Sequence, residues 1–111
     1  TLNMAQDFEN SLVRVTQTAV ALHTPNSDDV IIGIMLCNQD TDDNVIDVYV
    51  TNGGVNYFIA KSLSLPAGSS VQLLTGGAKL VLKNNDVLYG DLTTGNDNDT
   101  HAIVSFIDAA S

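Results

Sequence analysis

An all-β fold is what this chain predicts: a single antiparallel β-sandwich of about eight strands, in jelly-roll or Ig-like Greek-key order, with an extended N-terminal arm. Three observations lead there. From Thr51 to Gly90 the sequence TNGGVNYFIAKSLSLPAGSSVQLLTGGAKLVLKNNDVLYG sets five short apolar runs between Gly, Pro and Asn punctuation. That spacing leaves no room for a helix of ordinary length, and runs of about 4 to 8 residues recurring every 8 to 12 are how hairpin-built sandwiches read. At 111 residues the chain makes one domain, large enough to bury a core without crosslinks.

The elements follow in order. Residues Thr1 to Asn10, TLNMAQDFEN, have mixed polarity and no clean period. They read as an arm, with Leu2, Met4 and Phe8 as the residues that dock it on a neighbour; the sandwich domain then spans residues 11–111. Ser11 to Leu22 is β-branched and extended, a strand or strand pair with Val13 and Val15 on one face and Leu12, Arg14 and Thr16 on the other. His23 to Asp29 is a turn cluster around Pro25. Val30 to Cys37 is apolar throughout, which predicts a central strand covered on both faces.

After the exposed loop Asn38 to Asn44, the segment Val45 to Thr51 alternates Ile46, Val48 and Val50 against Asp47, Tyr49 and Thr51. It predicts a strand with one wet face. Asn52-Gly53-Gly54 closes a hairpin onto Val55 to Lys61. Short strands follow at Ser62 to Leu65, Val71 to Thr75 and Lys79 to Lys83, with Pro66-Ala67-Gly68 and Thr75-Gly76-Gly77-Ala78 as reversals between them. Asn84 to Asp86 turns the chain into Val87 to Thr93, and after the loop Gly95 to Asp99 a closing strand covers Ala102 to Ile107.

Composition excludes several functions. Four Lys and Arg against thirteen Asp and Glu give a net charge of -9. Phosphate contacts need clustered cations, so nucleic acid is not a partner. Neither an apolar run of membrane-spanning length nor a basic segment leading into an apolar one is present, so no membrane span or signal peptide is expected. The single Cys37 lies in the apolar run VIIGIMLC and reads as a buried core thiol.

Candidate chemistry is sparse. Asp40, Asp42 and Asp43 in one loop, and Asp97 and Asp99 in another, are oxygen ligands of the type calcium takes. Val45 stands where an EF-hand needs its turn glycine, and no glutamate closes the loop. Solvated loop tips are the plainer reading, so no cofactor is expected and calcium is the one candidate. His23 and His101 lack metal-ligand spacing, and a set such as His101, Asp99 and Ser105 is found in almost any sequence. No enzyme is expected. Tyr49, Tyr57 and Tyr89 fall within strands, too few for a stacking platform.

The order of elements, VIIGIMLCNQ, then VIDVYVTNGGVNYFIAKSLSLPAG, then SSVQLL, KLVLKNNDVLYG and AIVSFID, resembles the small β-sandwich virion structural proteins of tailed phages, marine and cyanobacterial ones above all. The most specific part pairs a strand, Pro-Ala-Gly, strand unit (Leu63 to Leu74) with a Leu-Val-Leu, turn, Asp-x-Leu unit (Leu80 to Leu88). Asn85 stands where the family pattern has glycine. The resemblance implies a capsid decoration (cement) protein on the virion surface, a homotrimer whose partner is the major capsid protein and whose arm reaches the shell or a sister subunit. Alternatives are a tail- or fibre-associated protein whose loops, Asn38 to Asn44 and Gly95 to Thr100, touch the host, and a stand-alone carbohydrate-binding sandwich, disfavoured by the absence of tryptophan.

Overall fold

The computed structural model describes residues 6–109. Within them the chain forms nine strands: β1 (Gln6–Val15), β2 (Val20–His23), β3 (Asp29–Asn38), β4 (Asn44–Asn52), β5 (Val55–Leu65), β6 (Ser70–Gln72), β7 (Leu80–Leu82), β8 (Val87–Thr94) and β9 (Thr100–Ala109). They pair in two sheets, one ordered β1-β9-β3-β6 with β7 also on β3, the other β2-β8-β4-β5.

Every pairing is antiparallel. β6 meets the C-terminal half of β3 and β7 the N-terminal half, in the same direction, so the two share one strand position. The chain is then a nested hairpin. β4 pairs β5 at its tip, and β3 with β6 and β7, β2 with β8, and β1 with β9 follow outward. Wound around itself, the hairpin brings β9 against β3 and β8 against β4. This is the double Greek key of a jelly roll, which resolves the two orders expected from the sequence.

The tip is the two-residue loop Gly53-Gly54, with φ of 59° and 79° between the paired Asn52 and Val55. Positive φ at both positions is the type I′ geometry that matches strand twist, and glycine adopts it without a Cβ penalty.

Four readings of the sequence are revised. Gln6 to Asn10, expected in the arm, belong to β1 and pair with Ala109 to Ser105, because the long β9 offers its backbone along its full length; Thr1 to Ala5 lie outside the described residues. β5 runs straight through Ser62, where Ser62 has a φ of 52° and the pairing with β4 slips. The Asp47 carboxylate takes up the backbone N–H at that bulge, with Ser62 N donating to Oδ1 at 2.7 Å. Thr75 to Ala78 is not a reversal. It is a local turn, closed by Ala78 N donating to Thr75 O at 3.1 Å, after which the chain resumes its direction along β3. Finally β3, central as expected, is covered on one face only.

Ile31, Ile34 and Leu36 of β3 point into the core with Val104 and Phe106 of β9, Ile46 and Val48 of β4 and Leu88 and Leu92 of β8. Burying each such side chain stabilises by about 1.5–3 kcal/mol relative to exposure. The opposite face of β3 leaves Met35 43% exposed, and Cys37, expected in the core, is half-buried there.

One end of the sandwich is held by buried amides. Asn38, wholly buried, donates from Nδ2 to the carbonyls of Asp42 and Leu65, both at 2.9 Å. Its Oδ1 accepts from Asp40 N at 2.9 Å and Asn44 Nδ2 at 3.0 Å. Asn44 Nδ2 also donates to Thr100 Oγ1 at 2.7 Å, so β3, β4, β5 and β9 are tied at one point. Gly95, with φ 138°, lies against this hub, where a Cβ would come within 2.6 Å of Asn44 Oδ1. Asn38→Ala strands several buried polar groups at once and should lower stability by about 3 kcal/mol or more. Urea denaturation measures this directly, and a loss below about 0.5 kcal/mol, the range of ordinary surface changes, would remove the hub's structural role.

Candidate functional site

Four places in the fold gather functional side chains. The first is the end capped by the Asn hub, where the two acidic loops meet. Asn96 Nδ2 donates to Asp40 Oδ2 at 3.2 Å, and Gln39 donates to Asp99 through both its backbone N and its Nε2, at 3.0 and 3.1 Å. The carboxylates serve the loops themselves. Asp40 Oδ1 accepts from Thr41 N, Asp43 Oδ1 from Ala67 N at 3.0 Å, and Asp97 Oδ1 from Gln17 N at 2.7 Å. The fold thus brings the loops of Asp40, Asp42, Asp43, Asp97 and Asp99 together. Among the described residues, however, no three His, Cys, Asp or Glu side chains converge as a metal's ligands.

The second lies between the sheets near the other end. His23 Nε2 lies 2.6 Å from Asp29 Oδ2, Ser11 Oγ is 3.4 Å from His23 Nδ1, and the imidazole sits 4.0 Å from the Phe106 ring. Asp29 is 1% exposed. Hydroxyl, imidazole and carboxylate stand in a row, but the imidazole is covered by Phe106 and Ser11 is held in the β1·β9 ladder. The row braces β1, β2 and β3 across the sandwich. The set His101, Asp99 and Ser105 is not assembled: Asp99 is bonded to Gln39, and His101 and Ser105 sit at separate register positions on β9.

The third is the outer face of the four-stranded sheet. Tyr49, Tyr89 and Phe58 share a register row, with Tyr49 5.1 Å from Phe58 and 5.7 Å from Tyr89 between ring centres. Beside them Asp47 faces Asp91 directly across β4 and β8, and Lys61 reaches both Asp47, at 3.3 Å, and the Phe58 ring. The face of β4 expected to be wet is therefore covered: Asp47 is 6% and Tyr49 9% exposed. Within the row Tyr49 is enclosed by its neighbours, while Phe58 keeps 46% of its surface exposed beside Lys61.

The fourth is the outer face of the five-stranded sheet. Register aligns Leu12, Ile103 and Met35 in one row across β1, β9 and β3, and Phe8, Ile107, Val30 and Val81 in another. Phe8 is 74% and Leu12 70% exposed, and Met35, Val81 and Ile103 are exposed too. A shallow concavity of about 320 Å³ lies beside Leu12, Arg14, His101 and Ile103. Between the two rows run Asn10, Ser105 and Gly33, so the face carries two exposed apolar bands on either side of a small polar row. Large exposed apolar side chains grouped on one face mark an interaction site, and this face is the candidate functional site of the chain. Of the docking residues expected from the sequence, Phe8 belongs to this face, while Leu2 and Met4 lie outside the described residues. Leu12, Met35, Val81 and Ile103 escaped the sequence reading. For Met35 the signal was the unbroken apolar run of β3, which needs a cover on both sides; Leu12, Val81 and Ile103, on β1, β7 and β9, carried no local signal.

The third place carries a pH consequence. Burial, then the facing Asp47 carboxylate, raises the Asp91 carboxyl above its ordinary 3.8, and Lys61 offsets part of this. Burial and the neighbouring Asp91 likewise raise the Tyr49 hydroxyl. An acid whose value is raised on folding binds its proton more tightly in the folded state, so stability falls as pH rises from 3.8 through the raised value. Asp91→Asn should therefore raise the melting temperature at neutral pH. The gain should vanish below 3.8, where the carboxyl is protonated in both states; an equal gain at both pH values would assign the effect to packing.

No protein-family model matches the sequence, and no curated protein sequence matches it. Among solved structures, the chain is similar to one described under the words "Bacillus endospore appendages form a novel family of disulfide-linked pili", with 15% identity and a TM-score of 0.55 over 96% of this chain and 88% of that one. The likeness is one of fold, that of an all-β sandwich.

Proposed function

We propose that this chain is a non-catalytic structural subunit of a virion, a capsid decoration protein that reinforces the shell by repeated non-covalent contacts. The observation that carries this is the uncovered apolar face of the five-stranded sheet. A sandwich that functions alone in water gains nothing from Phe8, Leu12 and Val81 at more than half exposure; a subunit that locks into a lattice buries them. Many modest contacts multiplied by copy number then give a stability that one interface lacks. Jelly rolls recur among viral capsid domains, which supports the expectation drawn from the tailed-phage resemblance. The major capsid protein is the proposed shell partner, reached by the residues before β1. No cofactor is part of this mechanism.

A second reading is a tail- or fibre-associated subunit. The similar solved structure belongs to pili, and the acidic loops Asn38 to Asn44 and Gly95 to Thr100 project together from one end, where a host surface would meet them. The carbohydrate-binding alternative is weaker, because Tyr49 is 9% exposed and the exposed rings of Tyr57 and Phe58, successive residues of β5, point to opposite faces instead of forming one stacking platform.

The test is imaging of the particle that carries this chain, together with binding of the purified protein to expanded capsids and to host cells. Density at the symmetry axes of the capsid lattice and saturable capsid binding are the expected results; density confined to the tail would replace this reading with the second. The arm is tested by removing Thr1 to Ala5, which keeps the described strand β1, Gln6–Val15, whole. Capsid binding unchanged by that truncation would show that the arm is not the clip.

A further inference from the structure

We infer that the outer face of the five-stranded sheet is a homophilic interface: it packs against the same face of a second copy of this chain. This rests on the proposed role as an assembly subunit and names the partner of its apolar face.

Charge placement argues for a second copy. The chain carries thirteen Asp and Glu, yet none occupies an outward register position on this sheet. Asp7, Glu9, Asp29 and Asp108 occupy the inward rows, Asp47 and Asp91 belong to the other sheet, and Asp28, Asp40, Asp42, Asp43, Asp86, Asp97 and Asp99 lie in loops. Among the described residues, the only fixed charge at an outward position is Arg14, in the row with His101, Cys37 and Ser70. A protein of net charge -9 repels its own copies unless the contact surface is free of carboxylates, and this face is. A basic partner would find no acidic group there to recognise, and an acidic partner only one cation.

Size and shape agree. Four strand positions about 4.8 Å apart and about 3.3 Å per residue along β9, ten residues long, give a footprint of roughly 600 Å² on each copy. Two such faces reach the lower end of what a stable specific interface buries, about 1,200 Å² in total. Two twisted sheets pack face to face about 10 Å apart, and a two-fold axis makes the patch self-complementary, so the protruding Leu12 of one copy can enter the concavity beside Ile103 of the other. The contact covers the second face of β3 as the first is covered. The homotrimer implied by the family resemblance would need a different contact.

Sedimentation equilibrium of the full chain at low and high salt decides this. The expected result is a dimer that tightens as salt screens the repulsion between copies. Leu12→Asp and Ile103→Asp should each weaken it by about 100-fold, since each buries an unpaired carboxylate within the contact. Val55→Asp, on β5 of the other sheet, should leave it unchanged. A readout without substitution is peroxide oxidation of Met35, mapped by peptide mass, which should slow as the protein is concentrated through the dimerisation range. A monomer at all salt concentrations, a trimer, or a dimer indifferent to Leu12 and Ile103 would overturn the inference. Capsid binding by a chain that stays monomeric, lost on Leu12→Asp, would assign the face to the shell, overturning the pairing while sparing the proposed function. A dimer that binds no capsid would do the reverse.

Discussion

β3 carries apolar residues at nearly every position from Val30 to Cys37, while a two-layer sandwich can cover only one side of any strand. This constraint shapes the rest of the molecule. The inward half of β3 anchors the core against β4 and β8, and as the central strand it takes β9 on one side and β6 and β7 on the other. Its outward half, with Leu12, Ile103 and Phe8 from the neighbouring strands, forms a surface that costs free energy for as long as it faces water. The two faces of one strand thus connect the stability of the fold to the need for a partner.

Polar groups are distributed by the same logic. Where the sandwich closes over the acidic loops, neutral amides supply the buried bonds: Asn38 and Asn44 join four strands without a buried charge. Burying an ion pair costs more desolvation than burying an amide, and the buried imidazole–carboxylate contact of His23 with Asp29 lies at the other end. On the four-stranded sheet, Asp47 and Asp91 face each other across a ladder, a like-charge arrangement that destabilises. Lys61 and the backbone N–H of Ser62 offset it at Asp47. The carboxylates are costly there and absent from the outward rows of the other sheet, a division between a face that meets solvent and one suited to meet protein.

Much of the fold was legible because strands announce themselves locally. Alternation in β4 and β9, the Gly53-Gly54 tip and the unbroken apolar β3 are properties of neighbouring residues, and each became the element it predicted. Misreadings arose where a distant partner decides. Gln6 to Asn10 has no period of its own and is extended because β9 is there to pair with it. Thr75-Gly76-Gly77-Ala78 looks like a reversal, but β3 continues past it and recaptures the chain as β7. Asp47 and Tyr49 looked wet because the alternation of β4 is blind to Lys61, Phe58 and Tyr89, which arrive from β5 and β8 to cover them.

By itself, then, the sequence determined the all-β class and most strand positions, since these follow from periodicity and turn chemistry. The resemblance to tailed-phage virion proteins supplied an expectation of role. Only the tertiary structure decided the nested-hairpin winding of the jelly roll, the amide hub, the row of Ser11, His23 and Asp29, and the candidate site. Leu12, Met35, Ile103, Phe8 and Val81 lie on four strands, and no local pattern relates them. They become one surface because antiparallel register sets Leu12 beside Ile103 and Ile103 beside Met35, and register is settled by the whole sheet rather than by any strand within it.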